Sequence, residues 1–86
     1  MNNTEQFISY MKEITNLKID KLAKQFDLDS IKERIKDLEW QLSAGHLTQG
    51  MYSNLTDQRK RALDKLRMTS QELLEIEKRI LAIEDK

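Results

Sequence analysis

The sequence predicts an all-helical fold, an antiparallel helical hairpin, and three observations carry that prediction. Proline is absent and the two glycines, Gly45 and Gly50, fall in one short window, so little else along the 86 residues interrupts a helix. Leu, Lys, Glu, Gln, Arg, Ala and Met fill most of the chain, while Val is absent and aromatics are few, a poor composition for sheets. Heptad patterning then runs through the second half of the chain. At this length there is room for one domain, 1–86, which buries a modest fraction of its surface, so further burial through self-association is expected.

The first helix is expected over about residues 4–26. Asn3 can cap it while Gln6 reaches back, with Phe7 and Ile8 following at once. At about 100° per residue, Phe7, Ile8, Met11, Ile14, Ile19, Leu22 and Phe26 spread over half the cylinder, with Tyr10 and Leu17 at one margin. An arc of that width calls for two neighbours.

A start signal then sits inside the helical pattern. Ser30 and Glu33 have capping-box spacing, and Asp27 can cap instead, with Phe26 and Ile31 as a hydrophobic staple. A kink at 27–30 and one continuous helix are both open readings. Over about 30–44, Ile31, Ile35, Leu38 and Leu42 form a narrow stripe suited to one antiparallel neighbour, and Trp40 lies about 180° from it.

The clearest boundary is the turn at 45–48. Gly45 suits a left-handed position after a helix, and Thr48 can cap the next one. From 48 to about 84 one long helix is expected. Tyr52, Arg59, Leu66, Leu73 and Ile80 occupy heptad position a, and Leu55, Ala62, Thr69, Ile76 and Ile83 occupy d. Leu63, Leu74 and Leu81 add a second apolar strip beside that seam. Folding at the turn sets Leu42 near Met51, Leu38 near Leu55, Ile31 near Ala62, Leu22 near Leu73 and Met11 near Ile83, with Glu39 as a partner for Arg59 across the seam.

A two-helix hairpin encloses almost no core, so the favoured assembly is a two-fold dimer forming a four-helix bundle. Ile19, Leu22, Phe26, Leu73, Leu74, Ile76, Ile80 and Leu81 are its candidate self-association residues. The structural alternative is a three-helix monomer with the first helix folded back at 27–30.

Lysine and arginine together number 15, as do aspartate and glutamate, so no global field draws the chain to nucleic acid or anionic membrane. No stretch approaches the ~20 apolar residues of a membrane span, and Met1 to Gln6 lacks a basic region ahead of an apolar run. A cytoplasmic protein is expected. Cysteine is absent and His46 is the only histidine, with no carboxylate cluster at ligand spacing beside it. Neither catalytic residues, nor metal, nor cofactor, nor small-molecule substrate is expected; the two glycines follow no strand and match no phosphate-binding fingerprint.

The remaining candidates are binding residues. Trp40 is the leading one, because tryptophan is enriched at interface hot spots and this one faces away from its helix's seam; Phe7, Tyr10 and Met11 form a second patch. Arg59, Lys60, Arg61, Lys65 and Arg67 put five positive charges against Asp57 and Asp64, a local excess that could follow phosphates.

The stretch Gly45-His46-Leu47-Thr48, continuing to Tyr52 and Leu55, resembles in outline the short helical-hairpin modules at the ends of larger bacterial proteins. The overall shape also resembles the coiled-coil hairpin factors that insert into RNA polymerase. Those carry acidic residues at the tip, where this chain has His46, Gln49 and Gly50, so the resemblance does not bring their activity. The Lys-, Ile- and Asn-rich composition is compatible with a bacterium or a phage.

The functional expectation is a small non-catalytic module that self-associates and binds a protein of unknown identity as adaptor, assembly factor or inhibitor. Two alternatives stand beside it: a dimeric nucleic-acid-binding regulator using 59–67, and an assembly chaperone covering a partner's amphipathic helix.

Overall fold

The computed structural model describes residues 3–85; Met1, Asn2 and Lys86 lie outside the described residues. Two helices, α1 (Asn3–Ser43) and α2 (Gln49–Glu84), pack against each other as a hairpin, with no strand among the described residues. Asn3, expected as a cap, is itself helical.

α1 passes through 27–30 without interruption, so the first arm is one helix and the three-helix monomer is ruled out. The reason lies in what each local choice would bury. Asp27, Asp29 and Ser30 are exposed and already solvated, whereas Leu28 and Ile31 between them are buried with Ile35 and Leu38. A cap there would gain about 1 kcal/mol. It would also turn those four apolar side chains out of line, and each contributes about 1.5–3 kcal/mol by burial.

The turn follows the residues that announced it. Gly45 has φ 75°, and His46 follows at φ 59°, an uncommon conformation for a residue with a Cβ. Ser43 Oγ donates to the Trp40 carbonyl at 2.8 Å, and Ala44 N–H to the Gln41 carbonyl at 3.3 Å, so the last turn of α1 is closed locally. Thr48 then caps α2: its backbone is extended, and Oγ1 accepts from the Met51 N–H at 3.1 Å.

The seam obeys the predicted heptads along α2. Leu55, Arg59, Ala62, Leu66, Thr69, Leu73, Ile76, Ile80 and Ile83 are all buried or half-buried; only Tyr52, beside the turn, is exposed. On α1 the same frame gives Leu42, Leu38, Ile35, Ile31 and Leu28, and continues back through Lys24, Lys21, Leu17 and Ile14. Leu38, 1 % exposed, is the deepest side chain.

Four cross-helix contacts fix the antiparallel register, running in opposite order along the two helices. Lys18 Nζ lies 3.4 Å from Glu84 Oε1, Lys24 pairs with Glu72, Arg34 donates to Gln58 Oε1 at 2.6 Å, and Arg59 donates to Glu39. Taken together they set Ile14 about level with Ile83, Leu28 with Thr69 and Leu38 with Arg59, about one helical turn from the expected pairings of Leu42 with Met51, Leu38 with Leu55 and Ile31 with Ala62.

The expected neighbours Leu22 and Met11 are therefore corrected: both are exposed, and Lys21 and Lys24 hold the seam positions instead. A continuous helix cannot rotate by 100° between Leu28 and Leu22. Once Leu28 to Leu42 face α2, the frame carries Lys24 and Lys21 inward and Leu22 outward. Lysine tolerates this because its alkyl stem lies along the seam while the ammonium reaches water.

Candidate docking surface

The hairpin measures 69 × 16 × 14 Å, so every residue off the seam is at the surface, and the two long flanks of the seam can be compared directly. In an antiparallel pair, heptad positions e of both helices fall on one flank and positions g on the other. The contacts confirm it here: Lys18 with Glu84 and Glu39 with Arg59 lie on the first flank, Lys24 with Glu72 and Arg34 with Gln58 on the second.

The second flank is charged. Its groove is lined by Lys24, Asp27, Arg61, Asp64, Lys65 and Glu72, with Met68 and Thr69 among them. The Lys24 ammonium is held above its ordinary pKa of 10.5, first by its hydrogen bond to Glu72 and further by the carboxylates of Glu72, Asp27 and Asp20, against a partial desolvation that acts the other way.

The first flank combines exposed apolar side chains with charged ones in its open half. Its groove is lined by Lys18, Lys21, Glu77, Ile80, Leu81 and Glu84. Along α1 the same flank carries Ile8, Met11 and Leu22, and along α2 Leu63, Leu74 and Leu81, all exposed. Ile19 and Phe26 extend the α1 strip toward the side opposite the seam, and Phe26 leaves 71 % of its surface in water. Two helices thus present one shared apolar face.

The candidate residues divide by position. Ile19, Leu22, Phe26, Leu74 and Leu81 point outward and belong to this face or its margin. Leu73, Ile76 and Ile80, expected with them, are taken by the intramolecular seam: Ile80 is buried and the other two half-buried against α1. Phe7 and Tyr10 keep the seam's heptad spacing, but the register places them past the end of α2, and both are exposed. Phe7, Ile8 and Met11 share a shallow depression with Lys12, Thr15 and Asn16.

Trp40 is 71 % exposed and faces away from the seam, as its spacing predicts. It stands alone. The residues one turn before it are Lys36 and Asp37, and the next large apolar side chain on that side is Phe26, about 21 Å away.

The basic stretch does not form one surface. Arg59 lies in the seam with Glu39, Arg61 pairs with Asp57 at 3.7 Å, and Arg67 with Asp64 at 3.4 Å. Lys65 lines the charged flank, whereas Lys60 and Arg67 share heptad position b on the other.

Sequence reasoning missed Lys21 and Lys24 in the seam, and with them Lys18, Glu77 and Glu84 at the apolar groove. Extending the Ile31, Ile35, Leu38, Leu42 stripe backward by heptads, through Leu28 to Leu17 and Ile14, would have found them.

Among the described residues no helix is long and apolar enough to cross a membrane, and no three His, Cys, Asp or Glu side chains are grouped to hold a metal ion. Comparisons of the chain with protein-family models, with curated proteins and with solved structures yield no match.

Proposed function

We propose that this hairpin is a non-catalytic protein–protein interaction module, acting as an adaptor, assembly factor or inhibitor, and that it docks through the apolar face of its open half. The observation that carries the reading is the arrangement of Ile8, Met11, Leu22, Leu63, Leu74 and Leu81, which lie exposed on one flank of a fold whose other flank is charged. Each keeps roughly half of its surface in water, so covering the remainder would supply about 1 kcal/mol apiece. Apolar side chains on both helices of one flank, interspersed with charge, are the chemistry of a helix-binding surface. Self-association and the covering of a partner's amphipathic helix both use that surface. A cytoplasmic location and a bacterial or phage origin fit the composition.

A nucleic-acid-binding regulator is the second reading, resting on the positive excess of 59–67. It is weaker because three of those five side chains already meet carboxylates of the same chain.

The test is affinity capture from the native host with the wild-type chain and with Leu22→Asp and Leu74→Asp, at low and high salt. A protein retained at high salt by the wild type and lost by both variants supports the module. Nucleic acid released by salt, with capture indifferent to Leu22 and Leu74, would overturn it in favour of the second reading.

A further inference from the structure

We propose that the apolar face is covered by a second copy of this chain, related by a two-fold axis running along the hairpin, so that both turns lie at the same end of the dimer. This rests on the reading of that face as a docking surface and adds its occupant and geometry.

Most of the apolar residues of the face lie in the open half, Ile8, Met11 and Leu22 of α1 and Leu74 and Leu81 of α2, with Leu63 alone toward the turn. Toward the turn the same flank carries Asp29, Lys32, Lys36, Lys60 and Thr56, all exposed. A second copy must therefore lay its open half on this one.

Two closed two-fold arrangements do so. With the axis across the hairpin, α1 lies on α1 of the second copy, and the turns point to opposite ends. With the axis along the hairpin, α1 lies on α2 of the second copy, antiparallel, and the turns point the same way.

Charge decides between them. The groove at the centre of the face has lysines on its α1 side, Lys18 and Lys21, and glutamates on its α2 side, Glu77 and Glu84. The crosswise axis sets lysine against lysine and glutamate against glutamate. The lengthwise axis sets Lys21 against Glu77 of the second copy, beside the Lys18–Glu84 pair each chain makes within itself, and brings Leu22 level with Leu74 of the second copy. The contact occurs twice by symmetry.

The footprint agrees with a closed but modest dimer. About 14 residues of overlap at 1.5 Å each, across two helices of about 10 Å, cover about 400 Å², with Ile8 and Met11 overhanging the end of α2. That is about half of the ~800 Å² each partner buries in stable interfaces, so the dimer forms at high protein concentration. The bundle is then four-stranded over the open halves only, and the turn halves remain two-stranded arms.

The absence of cysteine makes the arrangement measurable. A spin label at Gly50→Cys sits in the first turn of α2, where a Cβ meets nothing within 4 Å. Same-end turns give a label-to-label distance of about 20–40 Å, the width of paired hairpins. Opposite-end turns separate the labels by more than the 69 Å length of one hairpin. Sedimentation supplies the second arm. Glu77→Lys, and separately Lys21→Glu, each weaken association about tenfold or more at low salt, and an equimolar mixture of the two chains restores it. Circular dichroism of each variant confirms that the helices persist. The short distance together with rescue on mixing is the expected result. An opposite-end distance, or a dimer indifferent to the charge reversals, overturns the arrangement. A monomer at hundreds of micromolar overturns self-docking altogether; the docking surface itself then stands or falls on capture through Leu22 and Leu74.

Discussion

Arg59 crosses the seam from α2 and donates through Nε at 3.2 Å and Nη2 at 3.1 Å to a single carboxylate oxygen of Glu39, next to Leu38, the most deeply buried side chain. An arginine at heptad position a is thereby accommodated: its stem lies along the seam and its head finds a carboxylate at the rim. Both side chains stay about half exposed, so water screens the pair, and Arg59→Ala is expected to cost about 0.5 kcal/mol through the ion pair. Arg59→Leu replaces the pair with apolar packing at an otherwise apolar layer and should raise the melting temperature. Thermal melts followed by circular dichroism distinguish the two; a lower melting temperature for Arg59→Leu would show that the ion pair contributes more than packing does.

Leu38 is the most sensitive single position in the fold. Its truncation to alanine removes the one fully buried side chain among the described residues, and a two-helix layer cannot relax around the gap from a third direction. A loss of about 2–5 kcal/mol is expected in urea unfolding, against a small effect from Leu22→Ala in the monomeric range.

The turn offers substitutions of opposite sign. Gly45→Ala meets no steric neighbour, yet it places a Cβ at φ 75° and should destabilise by about 1 kcal/mol. His46→Gly, at φ 59°, relieves the same strain and should be neutral or stabilising. Thr48→Ala removes the acceptor for the Met51 N–H and should cost about 1 kcal/mol. Equilibrium unfolding of the three variants gives the order directly.

Lys24 and Glu72 predict a pH dependence at the alkaline end. The folded pKa of Lys24 is raised, so its contribution is complete below 10.5 and is lost as pH climbs through the raised value. Glu72→Gln removes the carboxylate with little change of shape. The difference in melting temperature between wild type and Glu72→Gln should be constant near neutrality and shrink above pH 10.5. A difference that grows with pH would contradict the sign.

Trp40, the only tryptophan, reports its own surroundings. It should emit near the solvated limit and be quenched readily by iodide. Since it lies in the turn half, outside the proposed four-helix segment, this should hold at every protein concentration. Trp40→Ala should leave helicity and melting unchanged; a blue-shifted, protected indole would place an unrecognised contact at the turn end.

The sequence by itself determined the helical class, the turn at Gly45 to Thr48 and the heptad frame of α2, because helix propensity, left-handed glycine and threonine capping act over a few residues and need no partner. It also contained the pairing of Arg59 with Glu39, since the turn fixes which residues face each other nearby. Only the tertiary structure decided the continuity of α1 and the rotation of its first half. Capping signals at Asp27 and Ser30 are worth about a kilocalorie each, whereas the seam from Leu28 to Leu42 is held by several buried side chains at once. That collective term straightens the helix and imposes its frame upstream. It turns Lys21 and Lys24 inward and leaves Ile19, Leu22 and Phe26 in water, where an apolar arc read from α1 alone had no means of showing which of its two edges would meet α2.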